Sequence, residues 1–277
     1  MPAPLWLLTR LAFGLRAPRN RILGSEFAGV VVAAGPSVTR FKVGDAVFGY
    51  RGPSFGANAE YLCMAETGLV QPKPTNLSFE EAAVLPYGAL TAISLLRKGG
   101  IQPGQRVLIV GASGSIGAAA LQLAKHYGAH VTGVCGTARM AMVRALGADE
   151  VIDYTRQDFT QMDATYDLIF DVLGRGSFSQ AKRSLRPGGR YLYASFKMKP
   201  LLQMLWTSRF GDKKVICAFS SESVDDLRTI GELAEAGVLR SVIDRCFPLE
   251  QAAEAHRYLE SGQRSAVKSS TLATCWM

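Results

Sequence analysis

Apolar residues follow two regimes along this chain. From Leu23 to about Met64 they come in short runs broken by glycine, which predicts strands over Phe27–Ala33, Ala46–Tyr50 and Ala59–Met64, with a turn at Gly35-Pro36-Ser37. Ahead of them, Leu5, Leu8, Leu11 and Leu15 share one face of a predicted amphipathic helix within Pro2–Arg21. Pro72, Pro74 and Asn76 read as a loop. Ser78 and Glu81 then have the spacing of a helix-opening capping box, with Pro86 expected to interrupt the helix before it resumes over Ala89–Leu96 and stops at Gly99-Gly100.

The second regime begins at Arg106. Arg106–Val110 is short and wholly apolar after its first residue, as a strand buried on both faces should be. A glycine turn, Gly111 to Gly117, follows at once, and Ile116, Ala119, Ala120, Leu123 and Ala124 then recur at helical spacing until Gly128. The alternation continues. Strands are predicted at His130–Cys135, Glu150–Asp153, Tyr166–Asp171, Arg190–Ala194, Val215–Phe219 and Val242–Asp244; helices are predicted at Ala138–Leu146, Ser177–Leu185, Val224–Glu235 and Glu250–Leu259. Alternation of strands and helices of this kind predicts an α/β fold with a parallel, doubly wound sheet, joined to the smaller β-rich lobe.

At 277 residues the chain is long enough for one large domain or two ordinary ones, and 48% hydrophobic with 19% charged residues describes a folded protein. Five widely spaced cysteines, with no CxxC pair, argue against a disulfide framework and a zinc knot and point to a reducing compartment, here the cytoplasm. The net charge of +8 comes from scattered basic residues without aromatic interleaving, which disfavours nucleic acid as a partner. No apolar run reaches the roughly 18 residues of a membrane span.

The strand, glycine turn and helix are contiguous, and that carries the first chemistry. Gly111, Ser113, Gly114, Ser115, Ile116 and Gly117 can offer backbone N–H groups and a helix N-terminus to a pyrophosphate, with no bulky side chain in its path. The spacing is GxxGxxG. After the second strand of this unit an NAD site would carry an acid, but Val134-Cys135-Gly136-Thr137-Ala138-Arg139 has none. Thr137 can donate to a 2′-phosphate and Arg139 can pair with it, with Arg144 as an alternative, so NADPH is the expected cofactor.

Taken together, GSEFAGVVVAAG, FKVGDAVFGY, FGANAEYL, LPYGALTA, QPGQRVLIVGASGSIG, LGADEVIDYT, YDLIFDVLG, LRPGGRY and VIDRCFPLEQAAEAHRYLESG resemble the medium-chain dehydrogenase/reductase superfamily in its zinc-free, zeta-crystallin-like quinone oxidoreductase branch. The resemblance implies a Rossmann-type sheet over residues 86–246, a GroES-like catalytic lobe over 1–85 and a return to that lobe over 247–277. It also implies that several strands preceding GSEFAG are missing, so that the lobe is incomplete, and that the ending Gln263–Met277 departs from the family. Where zinc-dependent relatives carry a histidine, Ser25 stands, so no metal is expected.

By the same resemblance, Tyr50 lines the substrate cleft, either as a hydrogen-bond donor to the substrate oxygen or as an aromatic wall. Thr91 lies beside the nicotinamide, Leu173 and Gly174 over its ribose, and Tyr154 near the 2′-phosphate. Tyr193 and Lys197 form a YxxxK, the catalytic pair of short-chain dehydrogenases, but they fall at a strand end rather than on a helix. The apolar stretch Lys199–Trp206 can wall a substrate pocket, join two copies in a homodimer, or touch a membrane surface. Two readings follow: a reductase of quinones or α,β-unsaturated carbonyl compounds, or an NADP-binding protein with little or no turnover.

Overall fold

A computed structural model of the chain describes residues 22–260. The helix expected within 2–21 and the ending 263–277 lie outside the described residues. Strands β1 (Glu26–Val30), β2 (Ala46–Tyr50) and β3 (Val70–Pro72) form an antiparallel sheet in that order. The third was not among the expected strands, and its last residue, Pro72, was expected in a loop. Val70 and Gln71 are buried there, and the strand ends on Pro72, at a sheet edge where a missing N–H is tolerated. Phe27, Val47, Ala57 and Val70 make a small core of their own.

The predicted strand over Ala59–Met64 is absent. Its backbone pairs with none of the described strands, and the Arg51 guanidinium takes up the Cys63 carbonyl (2.5 Å) while also holding that of Phe55 (2.6 Å).

Helix α1 (Phe79–Ala83) opens with the expected capping box: the Glu81 amide donates to the Ser78 hydroxyl (3.2 Å), and the Ser78 amide to the Glu81 carboxylate (2.9 Å). The helical run breaks ahead of Pro86 as expected, but it resumes at Pro86 rather than at Ala89: the proline opens helix α2 (Pro86–Lys98), in the first turn, where the missing N–H has no helical partner to lose.

The nucleotide-type unit follows: β4 (Arg106–Val110), α3 (Ser115–His126), β5 (His130–Cys135), α4 (Met140–Ala145), β6 (Glu150–Asp153), β7 (Tyr166–Asp171), α5 (Phe178–Ala181), β8 (Leu185–Tyr193), α6 (Met198–Arg209), β9 (Lys214–Cys217), α7 (Val224–Glu235) and α8 (Ala252–Glu260). The six strands β4–β9 are all parallel, in the order β6-β5-β4-β7-β8-β9. That is the doubly wound order, with its switch point between β4 and β7. Val107, Leu108 and Ile109 are fully buried at the centre, each worth roughly 1.5–3 kcal/mol relative to exposure.

The strand expected at Val242–Asp244 does not form. Side chains take the bonding groups just ahead of it: Gln122 bonds both the amide and the carbonyl of Arg240 (2.9 and 3.2 Å), and the Ser241 hydroxyl donates to Glu81 (2.6 Å).

Candidate nicotinamide-nucleotide site and substrate cleft

The turn after β4 is fixed by its own backbone. Gly111 sits at φ +87°, and the Gly111 and Ala112 amides both donate to the Val134 carbonyl (3.1 and 3.0 Å), tying the turn to the end of β5. A Cβ on Gly117 would lie 2.1 Å from the Gly111 carbonyl oxygen and 2.9 Å from Ala112 Cα, both backbone atoms. Only glycine permits that approach of helix α3 to the strand end, and it leaves the N-terminus of α3, from Ser115 and Ile116 onward, facing the crevice.

Across the switch point, Asp171 ends β7 fully buried. Its carboxylate accepts from the amides of Leu173 (3.1 Å), Gly174 (2.9 Å) and Gly176 (2.8 Å) and from the Tyr191 hydroxyl (3.2 Å). The loop so held carries Leu173 over the glycine turn, its Cγ 3.0 Å from where a Gly111 Cβ would stand. Gly174 is at φ +62° with the Ser195 carbonyl against it, so no side chain fits there. The structure therefore brings together Gly111, Gly114, Gly117, Leu173 and Gly174. Asp171 escaped the sequence reading; its signal was an acid at a strand end ahead of a glycine loop, the pattern of a side chain that caps its own turn.

The outer corner of the crevice is more mixed than expected. Arg139 reaches the turn, its guanidinium 3.4 Å from the Ser113 hydroxyl, and the Tyr154 ring stands over Gly136. Thr137, however, donates its one hydroxyl proton to Asp153, the buried last residue of β6, which also accepts from the Thr155 hydroxyl (2.7 Å) and amide (3.0 Å). These bonds, that from Thr137 foremost, hold the Asp153 carboxyl below its usual pKa. The acid missing after β5 thus arrives from the neighbouring strand, opposite Cys135 in the sheet register.

Helix α2 joins this crevice to the lobe. A Cβ on Gly88 would meet the Ser115 hydroxyl oxygen at 2.4 Å, so the first turn of α2 lies directly on the start of α3. One turn on, Thr91 is buried, and its hydroxyl has no hydrogen-bond partner among the described residues. On the other side of Gly88, the Tyr87 ring is 6.0 Å from that of Tyr50, and the Tyr87 amide donates to Glu26 (2.8 Å), which pairs with Tyr50 across β1 and β2. Burial first, then the charges of Glu222 and Glu26 and the neighbouring Tyr87, push the Tyr50 phenol well above its ordinary pKa. It is a donor, never a phenolate, near neutral pH.

The YxxxK pair does not assemble. Tyr193 is buried, accepts from the Phe178 amide (3.0 Å) and packs on Tyr191, while Lys197 is exposed ahead of α6. No group of three or more His, Cys, Asp or Glu among the described residues could hold a metal ion. No described helix is long and apolar enough to cross a membrane.

Comparison with known proteins agrees with this architecture. Residues 7–76 match the family described as alcohol dehydrogenase GroES-like domain, and residues 146–265 that described as zinc-binding dehydrogenase. A 2-methylene-furan-3-one reductase of Solanum lycopersicum is 33% identical over 89% of this chain and 62% of its own length. The mitochondrial NAD(P)H oxidoreductase RTN4IP1 of Mus musculus is 34% identical over 87% of this chain and 67% of its own. The chain therefore spans a little under, or about, two thirds of these relatives. Among solved structures, a quinone oxidoreductase from Coxiella burnetii superposes with a TM-score of 0.81 at 28% identity, covering 95% of this chain and 82% of that one.

Proposed function

The chain belongs to the medium-chain dehydrogenase/reductase superfamily, and from that premise we propose that it is a zinc-independent, NADPH-dependent reductase of quinones or α,β-unsaturated carbonyl compounds. The observation that carries this reading is the convergence on α2: Gly88 on the glycine-turn helix, Thr91 buried with an unpartnered hydroxyl, and Tyr87 against Tyr50. An orphaned buried hydroxyl beside a glycine crevice suits a polar ligand group that completes its bonding.

In this reading Gly111, Ser113, Gly114, Ser115, Ile116 and Gly117 hold the pyrophosphate, and Leu173 and Gly174 cover the nicotinamide ribose. Thr91 bonds near the ring. Arg139, with Ser113 and Tyr154, takes the 2′-phosphate; Asp153 is occupied by two threonines and keeps Thr137 in place. Bound NADPH supplies a hydride to an electron-poor carbon. The Tyr50 phenol donates to the substrate oxygen where negative charge develops, the arrangement that stabilises an oxyanion without a metal. The family description names zinc, but the described residues offer no cluster of three ligands for it.

The test is a fluorescence titration of the purified chain with NADPH and NADH, followed by NADPH oxidation with a quinone and with an enone. Tighter NADPH binding with turnover is expected. Tyr50→Phe should lower kcat about 100-fold with cofactor affinity unchanged. Because burial and nearby acids raise the phenol's pKa, its ionisation should cause no loss of rate between about pH 7 and pH 10. Binding without turnover would favour the non-catalytic reading; failure to bind either nucleotide would overturn both.

A further inference from the structure

Helix α6 presents an apolar stripe that stays exposed among the described residues. Met198, Leu202 and Leu205 recur at i, i+4 and i+7 and are 69%, 62% and 63% exposed; Trp206 and Phe210, also exposed, lie beside them with rings 6.1 Å apart. The opposite side of the helix does the packing: Thr207 is buried and Met204 joins the core beneath the sheet.

The charge around this stripe is one-sided. Residues 172–211 hold eight basic residues and no acidic one, so the rest of the chain balances at 23 basic against 23 acidic and the whole net charge of +8 belongs to this segment. Lys197 and Lys199 are exposed at the start of α6, and Arg209 continues the Met198–Leu202–Leu205 stripe at its end. The Gln203 side chain donates to Ser179 (3.2 Å) and Lys213 to the Lys182 carbonyl (2.9 Å), which sets the exposed Lys182 alongside the same face. None of these five cations (Lys182, Lys197, Lys199, Arg209, Lys213) is in a salt bridge among the described residues.

We propose that α6 docks this protein on an anionic phospholipid surface, its leucines and Trp206 lying in the boundary between headgroups and acyl chains and its cations on the lipid phosphates. A helix with an apolar face, a cationic margin and an interfacial tryptophan fits that plane. Arg209 and the lysines can run their stems along the apolar layer and keep their charges at the phosphates. A second copy of the chain fits the face less well: a two-fold contact would set this cationic patch, five basic residues with Asp212 the one acid in its sequence, against itself.

The stripe also begins at the cleft. The Ser195 carbonyl lies against Gly174, and Phe196 stacks near the exposed Phe219 (5.0 Å between rings). Resting on the reductase reading, this makes the favoured substrate a lipophilic quinone or enone held in the bilayer, passed from α6 to the cleft along Phe196 and Phe219.

The experiment is co-sedimentation of the full chain with vesicles of phosphatidylcholine alone and of phosphatidylcholine with phosphatidylglycerol. Binding is expected only with phosphatidylglycerol, and it should weaken with salt. Replacing both Lys197→Gln and Lys199→Gln should reduce it about 25-fold, at roughly fivefold per cation. Leu202→Gln with Trp206→Gln should reduce it at least about 10-fold. Thermal melts and NADPH binding verify that the variants fold. Absence of vesicle binding, indifference to lipid charge, or binding that both variants leave intact overturns the proposal. So does an α6 variant that merely splits a dimer in sedimentation velocity. Turnover of a water-soluble quinone separates this result from the reductase reading: vesicle binding with no turnover by any form leaves the docking face standing and sinks the activity.

Discussion

The six-stranded sheet and the three-stranded lobe both deliver residues to one cleft, but they do so by different means. At the end of β4 the geometry belongs to the backbone: a glycine at positive φ, paired amides on one carbonyl, and a helix brought against its own strand end. At Tyr50 it belongs to side chains gathered from β1, β2, α2 and the segment after β9. The sheet is buried on both faces, whereas the lobe has a core of four buried residues. A backbone-built site should tolerate almost no change at its glycines and considerable change around them. A side-chain-built site should lose function gradually, one group at a time.

The largest effect should come from Gly117→Val. Its Cβ would press on a carbonyl oxygen and a Cα, neither of which can swing aside, so helix α3 must move away from the turn. Overpacking of this kind costs about 1–3 kcal/mol in stability, read from urea denaturation, and NADPH titration should detect no saturable binding. Normal NADPH affinity in this variant would break the contrast, because the site would then not depend on backbone approach.

Arg139→Gln tests the corner where the two kinds of construction meet. Removing a charge-assisted bond to a phosphate should weaken NADPH about 10- to 100-fold and leave NADH nearly unchanged. Equal losses for both nucleotides would mean that Arg139 supports Ser113 and the turn rather than the 2′-phosphate. A gain in NADH affinity on replacing Thr137 by valine, which frees Asp153 from its first partner, would show that the carboxylate from β6 can take the part of the missing acid.

The same contrast explains what could be read before the structure. The sheet strands β4 to β7 and the glycine turn follow from local pattern, because a buried parallel strand and a helix opening each leave a short, contiguous mark. The break at Pro86 is legible but the restart is not, because proline stops a helix in its interior and starts one in its first turn, and only the position of the preceding turn decides which. The strands expected at Ala59–Met64 and Val242–Asp244 have strand-like residues, yet pairing is a long-range event, and Arg51 and Gln122 reach the backbone at or beside them first. Asp153 and Asp171 lay outside the sequence reading for a related reason. Asp153 accepts a hydrogen bond from Thr137, just beyond the β5 end that the register sets beside it, and Asp171, besides capping its own loop, accepts one from Tyr191 on the neighbouring β8.

The smallest effect has the most informative sign. Thr91→Val keeps the shape of a buried side chain and removes a hydroxyl that has no partner among the described residues. A buried polar group left unbonded costs about 1–3 kcal/mol, so the free protein should become more stable by up to about 1 kcal/mol once the lost packing fit is deducted. The same change should weaken NADPH binding, by roughly 5- to 10-fold, because one bond to the ligand is gone. Thermal melts with and without NADPH read both quantities in one experiment: the unliganded melting temperature should rise while the shift caused by NADPH shrinks. A fall in both would make Thr91 an ordinary packing residue of α2. A rise in the first with no change in the second would place the hydroxyl outside the cofactor's reach, and the orphaned group would then belong to the side-chain-built half of the cleft, beside Tyr87 and Tyr50.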